Sequence, residues 1–401
     1  MIRLKAIPLI IAATVAIVAA TAGAVRAGDA GKSVLIEDPL TPPEEAWSFC
    51  DLFDFGQVYE SEKGFIKSFT FIGRYQGQYI SQDEDIGDTS NSYNRWQHRR
   101  ARFGAEIEMA GNLTFEAENN MADNEGIFAG RVQNNWQNFF LRWEPEDDLS
   151  LTVGKDKQGF TIEDETSSKR ILTVERSPIV QETAGARPWG TVVRTDLAGF
   201  DTRIGAWITG GDDSWGSWPQ FDSNLSLSLN TAYEMFEGTD LRFDYVYNDN
   251  KGGTERVQGD ADRSFASAYQ HGISVGTLSD WGNLGLVTNV IVAKNRAAAG
   301  RLPDKSDTWG AVVMPSYYIT DKLQAVFRYA YMKRGREQRT QRFDVRATVS
   351  NYHTFLGGLT YYICEDKLKV MAGYEYAIGD VFEEPRDIDS GTWMFAVRTY
   401  F

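Results

Sequence analysis

The residues of this 401-residue chain whose types and spacing could do chemistry are charged side chains recurring at every second position. Arg74, Arg100, Arg102, Arg142, Arg194, Arg203, Arg242, Arg328, Lys369 and Arg398 take the parity opposite to the apolar residues beside them. So do Glu106, Glu108, Glu116, Glu118, Asp156, Asp201, Glu234, Asp244 and Glu375. Rings of Arg or Lys favour anions in a pore, and Arg grips phosphate bidentately. Acids and bases are nearly balanced, so two uses stay open. The charges could pair across neighbouring strands and keep an interior wet, or the arginines could form a ladder for anions.

A second group sits in one polar segment, residues 158–188, with Glu163, Lys169, Arg170, Glu175 and Arg176. It exceeds the roughly 12–15 residues usual for a structureless loop, and such loops are commonly functional. Charges of both signs suit a constriction with a transverse field; the alternative is an external loop lying over a mouth. Enzyme chemistry is poorly served. His98, His271 and His353 lack the spacing of a helical metal motif, and no catalytic set, metal site or cofactor is expected. His271 has the parity of the apolar face, where a barrel phospholipase would need a Ser–His pair, but an ordinary histidine fits as well. The acidic runs at 83–85 and 212–213 could hold divalent cations against lipopolysaccharide or could be solvated loop tips.

These side chains are positioned by strands. Phe69, Phe71, Tyr75 and Tyr79 oppose Ser68, Thr70, Arg74 and Gln78; Leu225, Leu227, Leu229 and Tyr233 repeat the pattern, as do Leu323, Ala325, Phe327, Tyr329 and Tyr331. A period of two is a strand signature. About sixteen such segments, each near the ~10 residues of a tilted membrane strand, run from residue 64 to Phe401. Short connectors at 110–112, 145–148, 198–199, 236–239, 279–283, 320–321 and 364–366 alternate with long ones. The long ones lie at 82–94, 122–131, 158–188, 210–223, 249–263, 294–306, 333–349 and 377–390. Short turns at one rim and long loops at the other is the asymmetry of an outer-membrane barrel. Tyr79, Tyr247, Tyr331 and Tyr376 fall where an aromatic girdle belongs.

The compartment agrees. Arg3 and Lys5, an apolar run from Ala6 to Ala22, and Val25-Arg26-Ala27 read as a secretory signal peptide over 1–27 rather than a retained helix. Residues 28–63 read as a periplasmic lead-in, with Pro39, Pro42 and Pro43 before one or two helical turns. A formal charge of −15 argues against nucleic-acid binding. A mean hydropathy of −0.38 is no objection to a barrel, where half of each strand faces water. Cys50 and Cys364 both fall on the periplasmic side, Cys364 one hairpin from the seam where first and last strands meet, so a disulfide between them is expected.

Three stretches carry a family resemblance. Arg99-Arg100-Ala101-Arg102-Phe103-Gly104-Ala105-Glu106 resembles an early basic strand of the phosphate-selective porin O/P family. Leu151 to Lys155, Gly159 to Glu163 and Thr173 to Ser177 resemble its third strand pair and the loop that folds into the pore. Trp393 to Phe401 resembles the C-terminal signal that the barrel-assembly machinery reads through a final aromatic residue, here Phe401. The resemblance implies a sixteen-stranded, trimeric diffusion channel. The expectation is an all-β transmembrane antiparallel barrel in the outer membrane of a Gram-negative-type bacterium, embedded among lipid and lipopolysaccharide. It would pass small hydrophilic solutes, with anion or phosphate preference following from the resemblance. The alternative is a structural or adhesive barrel with a plugged lumen and partner-binding outer loops.

Overall fold

Where the alternation runs, the chain is strand. The computed structural model describes residues 48–401 except 54, 123–135, 184–186, 210–223, 250–268, 295–306, 335–348 and 382–386. After a 3-10 turn at Phe49–Phe53 comes β1 (Gln57–Glu60), then β2 (Ile66–Ile86), β3 (Thr89–Met109), β4 (Leu113–Asn120), β5 (Trp136–Glu146) and β6 (Leu149–Lys155). Two short helices, α1 (Ile162–Glu165) and α2 (Pro178–Thr183), precede β7 (Trp189–Leu197), β8 (Phe200–Thr209), β9 (Asn224–Phe236) and β10 (Thr239–Asn248). The chain finishes with β11 (His271–Trp281), β12 (Leu284–Lys294), β13 (Thr308–Thr320), β14 (Leu323–Arg334), β15 (Val349–Cys364), β16 (Leu368–Val381) and β17 (Asp387–Tyr400). Each of β2 to β17 pairs antiparallel with its neighbours and β17 pairs with β2, so sixteen strands close into a barrel without a free edge.

The outer face is apolar. Leu141, Val153, Ile204, Leu227, Phe327, Leu359 and Phe395 stand exposed on it, and an apolar surface extending around a barrel is one that lipid covers. Tight turns join strands at one rim; Ala198 and Gly199 both take positive φ (57° and 85°), as a two-residue hairpin turn with the twist of its strands requires. Each histidine meets a tyrosine hydroxyl through Nδ1: His98 with Tyr75 at 2.9 Å, His271 with Tyr245 at 3.0 Å, His353 with Tyr329 at 2.9 Å. Among the described residues His271 thus sits in an aromatic pair with Tyr245.

Three sequence expectations need correction. Residues 82–94, read as a long connector from their polarity, are strand: β2 and β3 continue to a turn at Gly87 and Asp88. Beyond the lipid band neither face needs to be apolar, while backbone pairing continues unchanged. Asp83, Glu84 and Asp85 thus lie on a strand, with Asp85 opposite Asp389, not at a loop tip. The connector read at 377–390 shortens for the same reason, because β16 reaches Val381 and β17 starts at Asp387. Finally, the sheet begins before residue 64: β1, inside the expected lead-in, pairs with the lower end of β2, Gln57 opposite Thr70 and Glu60 opposite Ser68. The expected leader (1–27), the three prolines, Asp212 and Asp213, and most of the other long connectors lie outside the described residues.

At the seam, Phe401 exchanges backbone hydrogen bonds with Gly73 at 3.1 and 3.2 Å, and β1 takes up the same flank of β2 just below. The Phe401 ring lies over Gly73, where a Cβ would come within 2.2 Å of a ring carbon. Phe55 packs against that ring, centroids 4.5 Å apart. Cys50 and Cys364 are joined by a disulfide with Cα atoms 5.4 Å apart, tying the segment before β1 to the turn between β15 and β16. A Cys50→Ser variant should lose about 2–4 kcal/mol of stability, read as a lower melting temperature in detergent. Two free thiols in the unreduced wild type by mass spectrometry would contradict the bridge.

Candidate pore and constriction

After β6 the chain turns into the barrel. Gly159 and Thr161 take positive φ (75° and 77°), and the Thr161 amide donates to Asp244 Oδ2 at 3.0 Å while its hydroxyl accepts from the Asp164 amide at 3.3 Å to start α1. Phe160, Ile162, Val174, Ile179 and Val180 are then fully buried. They pack in one cluster with inward-facing Val287, Ile291, Val312, Val326, Met332 and Leu356. Burial of an aliphatic or aromatic side chain stabilises by roughly 1.5–3 kcal/mol, so the segment is docked by a core of its own. Residues 158–183 thus fill the β10–β17 side of the lumen.

Polar contacts fix the docked segment, and they engage much of the expected arginine ladder. Arg328 is fully buried; its Nη1 donates to Glu163 Oε1 (3.3 Å), Thr173 Oγ1 (3.0 Å) and the Glu175 carbonyl (2.7 Å), and its Nη2 to Glu375 Oε2 (2.8 Å). Arg398 donates to Gln76 and to the Val174 carbonyl, and Arg100 donates to the same Gln76 oxygen at 2.8 Å. Arg74 reaches Ser168 Oγ (2.8 Å) and Glu118 (3.0 Å), and Arg102 shares Glu118 (3.1 Å). Lys369 is held by Asp366 at 2.7 Å. Within the segment, Glu163 accepts from the Ser177 amide at 3.1 Å, and Arg176 donates to the carbonyls of Glu163 (2.6 Å) and Thr166 (2.9 Å). Glu175 accepts from Arg99 (2.7 Å), Gln78 (2.9 Å) and Gln181 (3.1 Å). Of the five charges expected at a constriction, Glu163, Glu175 and Arg176 are therefore fasteners. Arg170 is exposed and Lys169 half-buried over the Tyr400 ring, 4.5 Å away. Burial, and after it the Arg74 charge, holds the Lys169 ammonium below the ordinary lysine value.

Among the described residues the opposite side holds a cavity. A cavity of about 660 Å³ is bounded by β5 to β10 and lined by Arg142, Arg194, Arg203, Arg242 and Asp244 among others. Arg194 and Asp201 form a forked pair at 2.8 and 2.6 Å, and Arg203 meets Asp156 at 2.9 Å. Glu106, Glu108 and Glu116 share the inward parity of Arg102 and Glu118. Glu234 lies near the turn, accepting from the Gly238 amide at 3.4 Å.

Sequence parity missed several partners. Arg99 has the wrong parity beside Arg100, yet reaches Glu175 because the β2–β3 register shifts between Gln76 and Gly77. Two adjacent arginines in one strand were the available signal for that bulge. Gln76, Gln78 and Ser168 carry no signal beyond polarity. The docking wall was visible in part: β12 to β15 carry apolar residues at inward positions, Val287, Ile291, Val312, Val326, Met332 and Leu356 among them, which a wall facing only water does not require.

A family model described as "Phosphate-selective porin O and P" matches residues 69–271. No curated protein sequence matches the chain. Among solved structures, a Salmonella typhi OmpF complex with daunomycin is 15% identical, with a TM-score of 0.58 over 86% of this chain and 100% of that one. An anion-selective porin from Comamonas acidovorans is 11% identical, with a TM-score of 0.57 over 83% of this chain and 99% of that one. Pseudomonas putida OprB is 12% identical, with the same TM-score over 83% of this chain and 94% of that one. At these identities the likeness is one of fold.

Proposed function

The chain belongs to the phosphate-selective porin O and P family, and on that premise we propose that its barrel passes small hydrophilic solutes through the gap between residues 158–188 and the β5–β10 wall. It is an outer-membrane porin of a Gram-negative-type bacterium, a passive channel. The single observation that carries the proposed route is the cavity of about 660 Å³ left beside the docked segment. A plugged structural barrel, the competing reading, gives no reason for it. The pairing of each histidine with a tyrosine favours a channel without enzymatic activity. We take residues 1–27 as the leader, 28–63 as the lead-in whose end joins the sheet, 64–401 as the barrel, and 158–188 as its constriction.

The partners follow from the same reading: lipid and lipopolysaccharide around the apolar belt, the assembly machinery at Phe401, and two further copies in a homotrimer. An anion or phosphate preference, as the family description suggests, would rest on Lys169 and Arg170, the two constriction cations not engaged in docking. Purified protein in a planar bilayer should give discrete conductance steps; a silent bilayer with correctly folded protein would overturn the channel.

A further inference from the structure

All three histidines of the chain stand on the outer face of the barrel, each against a tyrosine of the next strand. At two of them a lysine joins the pair. His271 continues the outward row of exposed Ile273 and Val275, at the end of β11 away from its tight turn. Lys294 of β12 stands directly opposite it. Lys333 continues the outward row of Phe327 and Tyr331 on β14, directly opposite Trp309 of β13 and one step diagonal from His353 of β15. Both lysines are exposed and form no ion pair among the described residues. The acids nearest to them are engaged. Asp380 of β16 accepts from Asn351 at 2.6 Å, and Asp249 and Asp307 make contacts of their own.

The tyrosines set what each histidine offers. The hydroxyls of Tyr245 and Tyr329 have no other acceptor among the described residues, so they donate to Nδ1 and leave the ring proton on Nε2. That Nε2–H finds no acceptor among the described residues. The rings are held in place as well: His271 packs on Tyr247 at 5.3 Å, His353 on Tyr331 at 4.7 Å, and Tyr331 on Trp309 at 5.1 Å. A donor fixed by packing loses little freedom when it binds. Each site thus pairs an ammonium with an imidazole N–H, and a charged donor favours an anionic acceptor. Their height tells which anion. They lie where the apolar belt ends on the long-loop side, among the tyrosine and tryptophan rings that mark the headgroup level. We propose that Lys294 with His271, and Lys333 with His353, each bind a phosphate group of lipopolysaccharide packed against β11–β15, with Tyr245 and Tyr329 as positioning residues. The binding needs the belt to face lipid and does not depend on the route that solutes take inside. His98 shares the Tyr75 contact, but the outward positions around it carry Trp96, Gly77 and Tyr79 rather than a lysine, so it holds no phosphate.

Native mass spectrometry of the purified, delipidated full-length protein titrated with diphosphorylated lipid A tests this. The wild type should retain lipid A, and Lys294→Gln with Lys333→Gln should weaken binding roughly tenfold or more. His271→Ala with His353→Ala should weaken it too, while His98→Ala should leave it unchanged. Lipid A stripped of both phosphates should bind the wild type no better than intact lipid A binds the lysine double variant. A wild type that retains no lipid A, a lysine double variant that binds like the wild type, or equal binding of the stripped lipid would overturn the proposal. Displacement of lipid A by inorganic phosphate would overturn it as well, since the site would then take the free anion. Conductance steps from the same preparation report on the channel separately, and a silent bilayer would leave the lipid site standing.

Discussion

Replacing residues 159–183 by the same number of Gly and Ser residues should raise single-channel conductance severalfold. The reason is volume. Phe160, Ile162, Val174, Ile179 and Val180 occupy the β10–β17 side of the lumen and are fully buried there, so current is confined to the β5–β10 side. A flexible polar segment has no apolar side chains to dock and loses the hydrophobic term that holds it to the wall. It also exposes Val326, Met332 and Leu356 to water, so the variant should melt earlier in detergent. The two readouts belong together. Higher conductance with unchanged stability would mean that the docked segment is not a core, and unchanged conductance would mean that it does not set the bore.

The second large effect is expected at Arg328. Its guanidinium has no solvent exposure and lies between Glu163 of the docked segment and Glu375 of β16, with Thr173 Oγ1 and the Glu175 carbonyl also accepting from Nη1. Arg328→Met keeps most of the side-chain volume but removes the cation that the two buried carboxylates share. Breaking a buried pair from one side typically costs about 3–5 kcal/mol, most of it the desolvation of the abandoned charge. The thermal or denaturant midpoint should fall accordingly, and the open-channel current should become noisy as the segment detaches. Adding Glu163→Gln and Glu375→Gln should recover most of the loss, because no buried charge then lacks a partner. If the triple variant is as unstable as the single one, the arginine matters for packing rather than for charge.

Much of the fold was legible because strand geometry writes itself into sequence with a period of two. Residues 225–233 and 323–331 announce both a strand and its lipid face, and the alternation of short and long connectors supplies the barrel. The polar arms at 82–94 escaped, since outside the lipid band neither face has to be apolar. Of the candidate site, parity gave direction without partner. It placed Arg74, Arg100, Arg328 and Arg398 inward, but their partners lie on Ser168, Gln76, Glu163 and Val174, most of them far away in sequence. Nothing local distinguishes an arginine that faces water from one that pins a loop. The register shift that turns Arg99 inward is likewise a property of two strands together, invisible in either alone.

The seam has a consequence for the cyclic order of the sheet. β17 ends at Tyr400 opposite Arg74, Phe401 bonds Gly73, and β1 then covers Thr70 to Ser68 in the same direction along β2. Seventeen pieces of chain therefore make sixteen staves, because the first piece and the last are one stave cut in two. The hydrogen-bond net does not register where the polypeptide starts; it sees a ring with a nick beside Phe401. The opening strand prolongs the line of the closing one, so two segments from opposite ends of the described sequence share one flank of β2 between them.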